Sequence, residues 1–141
     1  MGTSSRRSAR ELALNVLYQV DVAKIPLDDA LEVALENTRL DLSAAEFTTQ
    51  LVKGVSSNIH DIDNCLMKLS VGWELQRQPA VDRNILRIAI YEIQYVESVP
   101  NSVSINEAVE LAKKFSTEES GKFINGVLGA LVRQDKEREE N

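Results

Sequence analysis

Three arginines near the start of the chain are the residues of this sequence best suited to chemistry. Arg6, Arg7 and Arg10 lie close together, and guanidinium groups form paired hydrogen bonds with phosphate oxygens. On a helix, Arg6 and Arg10 are one turn apart, and Leu14 and Tyr18 extend the same row. The pattern therefore predicts an exposed row suited to phosphate contact, together with base stacking or binding of a protein partner.

A plainer interpretation of these arginines stays open. Surface arginines often pair with carboxylates, and Glu11 is close in sequence. A second basic pair, Arg83 and Arg87, is aligned with Tyr91 on a later helix and presents the same choice. It forms either another contact surface or salt bridges to the acidic part of the chain.

Charge is distributed unevenly along the 141 residues, whose net charge is −6. Residues 1–10 contain three arginines and no acid, whereas residues 26–51 contain six acids and one base. The whole chain should not adhere to polyanions, but this asymmetry can orient it toward a charged partner.

The sequence offers little for catalysis or metal binding. His60 is the only histidine and Cys65 the only cysteine, so no internal disulfide or thiolate metal cluster can form. Neighbouring acids such as Asp61 and Asp63 are more often helix caps and solvated groups than acid–base pairs. We therefore predict no enzymatic activity, no cofactor and no metal site.

The sequence also lacks the signals that direct a chain to a membrane. No apolar run approaches the length that spans a bilayer, and the N-terminus lacks the apolar segment of a signal peptide. Together with the single cysteine, which is typical of a reducing compartment, this predicts a cytoplasmic protein without membrane contact.

Apolar residues recur at helical spacing along almost the whole chain, which predicts an all-α fold of about seven helices. Residues 72–79 should form a link. The predicted helices lie roughly over residues 4–23, 28–35, 44–55, 59–69, 80–96, 105–115 and 118–132.

Capping patterns predict where three of these helices begin. Ser43–Glu46 and Ser104–Glu107 have the capping-box pattern, in which a serine and a glutamate three residues later satisfy each other's backbone N–H groups. Ser102 is an alternative cap for the sixth helix. Thr117 should cap the seventh.

Two sequence features predict how the helices pack. The fifth helix is apolar around most of its circumference, so we expect it at the centre of the fold. Glycines at positions 121, 126 and 129 of the last helix should let another helix approach closely.

Four blocks of the sequence, in a fixed order, carry a specific similarity. They are Arg6–Ala13 with Leu17–Gln19, Val81–Glu92, Ile105–Lys113 and Lys122–Leu128. Together these blocks resemble the NusB family of bacterial transcription antitermination factors, and the resemblance covers nearly the whole chain.

The resemblance implies a non-catalytic protein of seven helices in two small helical bundles. On this chain the N-terminal bundle would cover about residues 4–57 and the C-terminal bundle about residues 58–133. The charged residues 134–141 should form a frayed tail.

The resemblance also implies partners. Family members bind the boxA element of ribosomal RNA leader transcripts as a heterodimer with NusE, a ribosomal small-subunit protein. The pair joins other Nus factors on RNA polymerase, which then reads through terminators.

Site residues follow by matching positions with the family. The positions that match RNA contacts are Arg6, Arg7, Arg10, Ser120 and Lys122. Tyr18 and Asp82 match positions at the protein–protein interface. Family members often carry histidine where this chain has Gly121, and glutamate where it has Asp82.

Two alternatives accompany this interpretation. One is the related helical RNA-binding domain fused to ribosomal RNA cytosine methyltransferases, which works with a separate catalytic domain that these residues do not contain. The other is a helical scaffold that binds only protein.

Overall fold

Seven α-helices form the computed structural model, which describes residues 2–70 and 78–140, with side chains from Arg6 onward. The described residues contain no strand, which confirms the all-α prediction. Most of the predicted link over residues 72–79 lies outside the described residues. The helices are α1 Gly2–Val22, α2 Leu27–Glu36, α3 Leu42–Ser57, α4 Ile59–Leu69, α5 Ala80–Tyr95, α6 Asn101–Phe115 and α7 Glu118–Glu140.

Helix α3 begins earlier than its capping-box pattern predicted. Asp41 is the N-cap, and its Oδ1 accepts a hydrogen bond of 2.8 Å from the Ala44 backbone N–H. The prediction of Ser43 as the cap is therefore wrong. Aspartate caps helices as well as serine does, and the earlier of two available caps was used here.

Helix α6 also begins earlier than predicted, directly after Pro100 and without a side-chain cap. Neither Ser102 nor the Ser104–Glu107 pattern caps it, so both alternatives are wrong. Ser104 and Glu107 are buried instead, and contacts with other helices occupy both side chains.

Helix α7 begins as predicted but ends later. Thr117 Oγ1 accepts a hydrogen bond of 2.9 Å from the Ser120 backbone N–H, which confirms Thr117 as the cap. The predicted end near Val132 is wrong, because the helix continues to Glu140, and fraying of residues 134–141 stays a prediction. Residues 133–140 are mostly strong helix formers and include no glycine or proline, so nothing in them stops the helix.

Helix α5 lies at the centre of the fold, as predicted, and contacts α1, α3, α4, α6 and α7. Its buried apolar residues include Ile85, Leu86, Ile88 and Ile90, each of which contributes about 1.5–3 kcal/mol when fully buried. The apolar core is continuous from α1 to α7. The predicted boundary between two bundles near residue 57 stays a prediction. Within the described residues, no helix is long and apolar enough to span a membrane.

Among the four glycines whose surroundings the structure describes, Gly54 of α3 leaves the least room for a side chain. A Cβ atom added to Gly54 would overlap the ring of Tyr91 of α5. Only a residue without a side chain fits there, and no pattern in the sequence indicated this.

The glycines of α7 are not needed for close packing against another helix. A Cβ atom at Gly121 would meet Val109 of α6 at an ordinary 3.6 Å, and one at Gly126 would meet nothing within 4 Å. At Gly129 the nearest neighbour is Arg133 of the same helix. The prediction that these glycines permit close packing is therefore wrong.

Candidate functional site

The three arginines of α1 occupy three different environments. Arg6 is exposed, the side chain of Arg7 is 52% exposed, and that of Arg10 is only 3% exposed. Leu14, the next residue of the predicted row, is also buried. The row is therefore not a continuous outer surface.

Arg10 forms an internal ion pair with Glu92 of α5. Its Nε and Nη2 donate hydrogen bonds of 2.9 and 2.6 Å to the Glu92 carboxylate, which is 1% exposed. Its Nη1 lies 3.9 Å from Glu107. The burial of Arg10 does not support its predicted contact with RNA, because its neighbours Ala9 and Ala13 belong to the core and place it on the inner side of α1.

Arg7 is anchored by Glu107 of α6. Its Nε donates a hydrogen bond of 2.9 Å to Glu107 Oε2. This hydrogen bond and the charge of Glu107 raise the pKa of Arg7 above its ordinary value. The guanidinium is thus held in one place while half of the side chain stays accessible.

Arg6 packs on an aromatic ring instead of a carboxylate. Its Cζ lies 4.4 Å from the centroid of the Phe47 ring of α3. Among the residues with described side chains, no carboxylate forms an ion pair with Arg6. Of the three arginines, it has the least compensated charge.

Two lysines of α6 continue this basic surface. Lys114 binds Glu11 of α1 and lines one shallow depression together with Arg7. Lys113 lies 3.6 Å from Glu110 of its own helix. The side chain of Lys113 also borders Gly121.

The exposed Lys122 follows Gly121 on α7, and Gly121 borders Lys113 of α6. We group the exposed cations of these three helices under one name, the cationic strip: Arg6, Arg7, Lys113, Lys114 and Lys122.

Ser120 and Asp82, predicted for two different sites, bind each other. The Ser120 hydroxyl donates a hydrogen bond of 2.7 Å to Asp82 Oδ2. Asp82 is 2% exposed, so its position does not support direct contact with a partner. The pair links the first turn of α7 to the first turn of α5, which places Lys122 relative to the rest of the fold.

An apolar groove of about 560 Å³ lies beside the cationic strip. Tyr18, which is 40% exposed, lines it. Glu11 lines both this groove and the depression that contains Arg7, so the two surfaces share a border. Groove residues from other parts of the chain are Thr38, Leu40, Val81 and Phe115.

Arg83 and Arg87 form internal ion pairs, which supports the salt-bridge alternative. Both bind Asp21 of α1, at 2.7 and 3.1 Å, and Arg87 also binds Asp63 of α4 at 2.9 Å. These acids lie outside residues 26–51, so the predicted partners were wrong.

Two further reactive residues, His60 and Cys65, lie on α4. His60 is exposed near the start of α4. Cys65 is half-buried, and burial raises the pKa of its thiol, which disfavours the reactive thiolate. Within the described residues, no group of histidine, cysteine, aspartate and glutamate side chains could hold a metal ion.

Comparisons with known proteins agree with the earlier resemblance. The sequence model of the NusB family matches residues 7–133. A protein of Exiguobacterium sp. named transcription antitermination protein NusB is 46% identical over 130 residues, which are 92% of this chain and 98% of that protein.

Solved structures show the same fold. A structure of T. maritima NusB has a TM-score of 0.85 and 36% identity, and the match covers 91% of this chain and 90% of that one. A structure of antitermination factors NusB and NusE in complex with double-stranded RNA has a TM-score of 0.85 and 29% identity, with 93% and 98% covered. The chain therefore belongs to the NusB family of non-catalytic transcription antitermination proteins.

Proposed function

We propose that this chain binds boxA-type single-stranded RNA of ribosomal RNA leader transcripts together with NusE, a ribosomal small-subunit protein. The pair would act with other Nus factors on RNA polymerase, in the bacterial cytoplasm. The observation that carries the proposal is the border at Glu11, where the cationic strip and the apolar groove meet.

The strip accounts for RNA binding. Each phosphate that a lysine or arginine neutralises releases counterions, so affinity falls as salt rises. The protein is acidic overall, with a net charge of −6, and the strip alone should therefore bind RNA weakly. Discrimination between sequences needs contacts with unpaired bases as well.

The groove accounts for the protein partner. Tyr18 offers an apolar ring and a hydroxyl group at its surface, and tyrosines are enriched at protein interfaces. A partner in the groove would stand next to Glu11 and Lys114. It would therefore extend the strip with its own side chains, and the RNA would bind to a composite surface.

The related complex of NusB, NusE and double-stranded RNA supports both classes of partner. A preference for single strands and for boxA is the finer part of the proposal. It rests on the family resemblance, and it requires contacts with unpaired bases, because phosphate contacts carry no sequence information.

Filter binding of the full chain, with and without NusE, tests the proposal. The RNAs are a boxA oligonucleotide, a scrambled oligonucleotide of the same composition, and the boxA oligonucleotide annealed to its complement. We expect single-stranded boxA to bind most tightly, NusE to increase its affinity, and salt to weaken it. Equal affinity for boxA and scrambled RNA would contradict the specificity. A chain that binds NusE but none of the three RNAs, with or without NusE, would be a protein-only scaffold.

A further inference from the structure

We propose that Arg6, supported by the ring of Phe47, is a stacking platform for one unpaired base of the bound RNA. The inference deepens the proposed function, on which it rests. It assigns Arg6 a contact with a base, whereas the other cations of the strip contact phosphates.

The geometry at Arg6 fits stacking. Its Cζ lies 4.4 Å from the centroid of the Phe47 ring, within the range of cation–π contact. Phe47 is only 6% exposed while Arg6 is exposed. The guanidinium therefore lies between the ring and solvent, and guanidinium planes stack on the unpaired bases of RNA.

The position of Phe47 is fixed relative to α1. The hydroxyl of Thr48, the next residue, is buried and donates a hydrogen bond of 3.0 Å to the backbone carbonyl of Ala9. This bond ties α3 to α1 within one turn of Arg6. Because the support is rigid, less side-chain freedom is lost when a base stacks on Arg6.

Charge distinguishes Arg6 from its neighbours. Glu107 binds Arg7 and Glu11 binds Lys114, whereas within the described side chains no carboxylate pairs with Arg6. The Phe47 ring contacts the Arg6 guanidinium and carries no negative charge. A base stacked there would displace no internal ion pair.

Removal of single bases from the RNA tests the inference. Fluorescence anisotropy would measure binding of the full chain with NusE to boxA oligonucleotides that each carry one abasic position. For the wild-type chain we expect one position whose base removal weakens binding about fivefold or more. Arg6→Lys keeps the charge without the plane, so this position should lose its effect. We call the set of affinities for these oligonucleotides the abasic profile. If the abasic profile of Arg6→Lys matched that of the wild type, the inference would be overturned.

Phe47→Leu tests whether the aromatic ring supports stacking on Arg6. Leucine keeps the site apolar and removes the aromatic face, so the sensitivity to that abasic position should fall by about two- to fivefold. In the Arg6→Lys background, Phe47→Leu should have no further effect on RNA affinity. If Phe47→Leu weakened RNA binding equally with Arg6 and with Arg6→Lys, the role of Phe47 would be merely structural, and the inference would be overturned.

One control variant and two outcomes for the wild-type chain separate the sources of failure. Ile62→Val is a mild change in the buried core of α4, and it should leave the abasic profile unchanged. A wild-type chain that binds no RNA overturns the proposed function and this inference together. A wild-type chain that binds boxA RNA with no dependence on any single base overturns this inference alone.

Discussion

Arg10 of α1 and Glu92 of α5 form a buried ion pair with three hydrogen bonds between their side chains. The pair joins the first helix to the central helix. Arg10 therefore stabilises the fold, although it lies in the arginine cluster that the sequence assigns to RNA. Of the three arginines in this segment, Arg10 is buried within the fold, whereas Arg6 and Arg7 stay accessible.

Replacement of Arg10 should destabilise the protein strongly. Arg10→Ala leaves Glu92 buried without its partner, and loss of one member of a buried pair costs about 3–5 kcal/mol. Urea unfolding followed by circular dichroism measures the change. The double variant Arg10→Met/Glu92→Leu removes both charges and should recover most of the loss, whereas wild-type stability of Arg10→Ala would contradict this role.

A methyl group at Gly54 should also destabilise the fold. Gly54→Ala forces a Cβ atom into the Tyr91 ring, and overpacking of this kind costs about 1–3 kcal/mol. Gly126→Ala is the matched control, because its Cβ atom would meet nothing within 4 Å. In the middle of a helix it should stabilise by about 0.5–1 kcal/mol. Thermal unfolding of both variants measures the two changes in stability, which should have opposite signs.

Asp21 should make stability depend on pH in the acid range. Burial alone would raise the pKa of Asp21, but hydrogen bonds from Arg83 and Asn84 and the charges of Arg83 and Arg87 outweigh it and lower the pKa. The stabilisation is therefore fully present above the unfolded pKa of about 3.9. It is lost as the pH falls through the lower folded value.

Comparison with Asp21→Asn isolates this contribution. The variant should be less stable than the wild type at about pH 7, and the difference should shrink on acidification to about pH 3. Urea unfolding at a series of pH values measures it. A difference that stays constant over this range would show that the carboxylate does not contribute through its charge.

Tyr18→Asp should impair binding of NusE and leave the fold intact. Tyr18 is exposed in the groove, so the variant places a charge in a partly apolar contact without disturbing the core. Isothermal calorimetry with NusE measures the loss. Tyr95→Asp is the control, since Tyr95 is about equally exposed and lines a different surface. Equal affinities of both variants and the wild type would exclude the groove as the partner site.

Helical periodicity predicted the number and order of the helices because each buried face repeats locally in the sequence. The central position of α5 was predictable for the same reason. Helix ends were less predictable. The Ser104–Glu107 pattern satisfies the local rule, but tertiary contacts bury both side chains, and no local pattern contains that information.

The site was predicted only in part, because exposure depends on distant residues. Arg6 and Arg10 have the same residue type and spacing, yet Arg10 is buried by a carboxylate 82 positions away. A signal for this existed in Glu92, which follows the apolar residues Ile88–Ile90 on the central helix. A carboxylate buried there needs a hydrogen-bonding or cationic partner. The place of Lys114 beside Arg7 had no such local signal.

The most direct test of the central claim is the RNA affinity of Arg6→Ala/Arg7→Ala in the presence of NusE. Filter binding over a range of salt concentrations gives both the affinity and its salt slope. Loss of one or two phosphate contacts should reduce the slope by roughly 0.7 per contact, with affinity lower by about tenfold or more. Unchanged affinity and slope in a folded double variant would contradict the claim that this surface binds RNA.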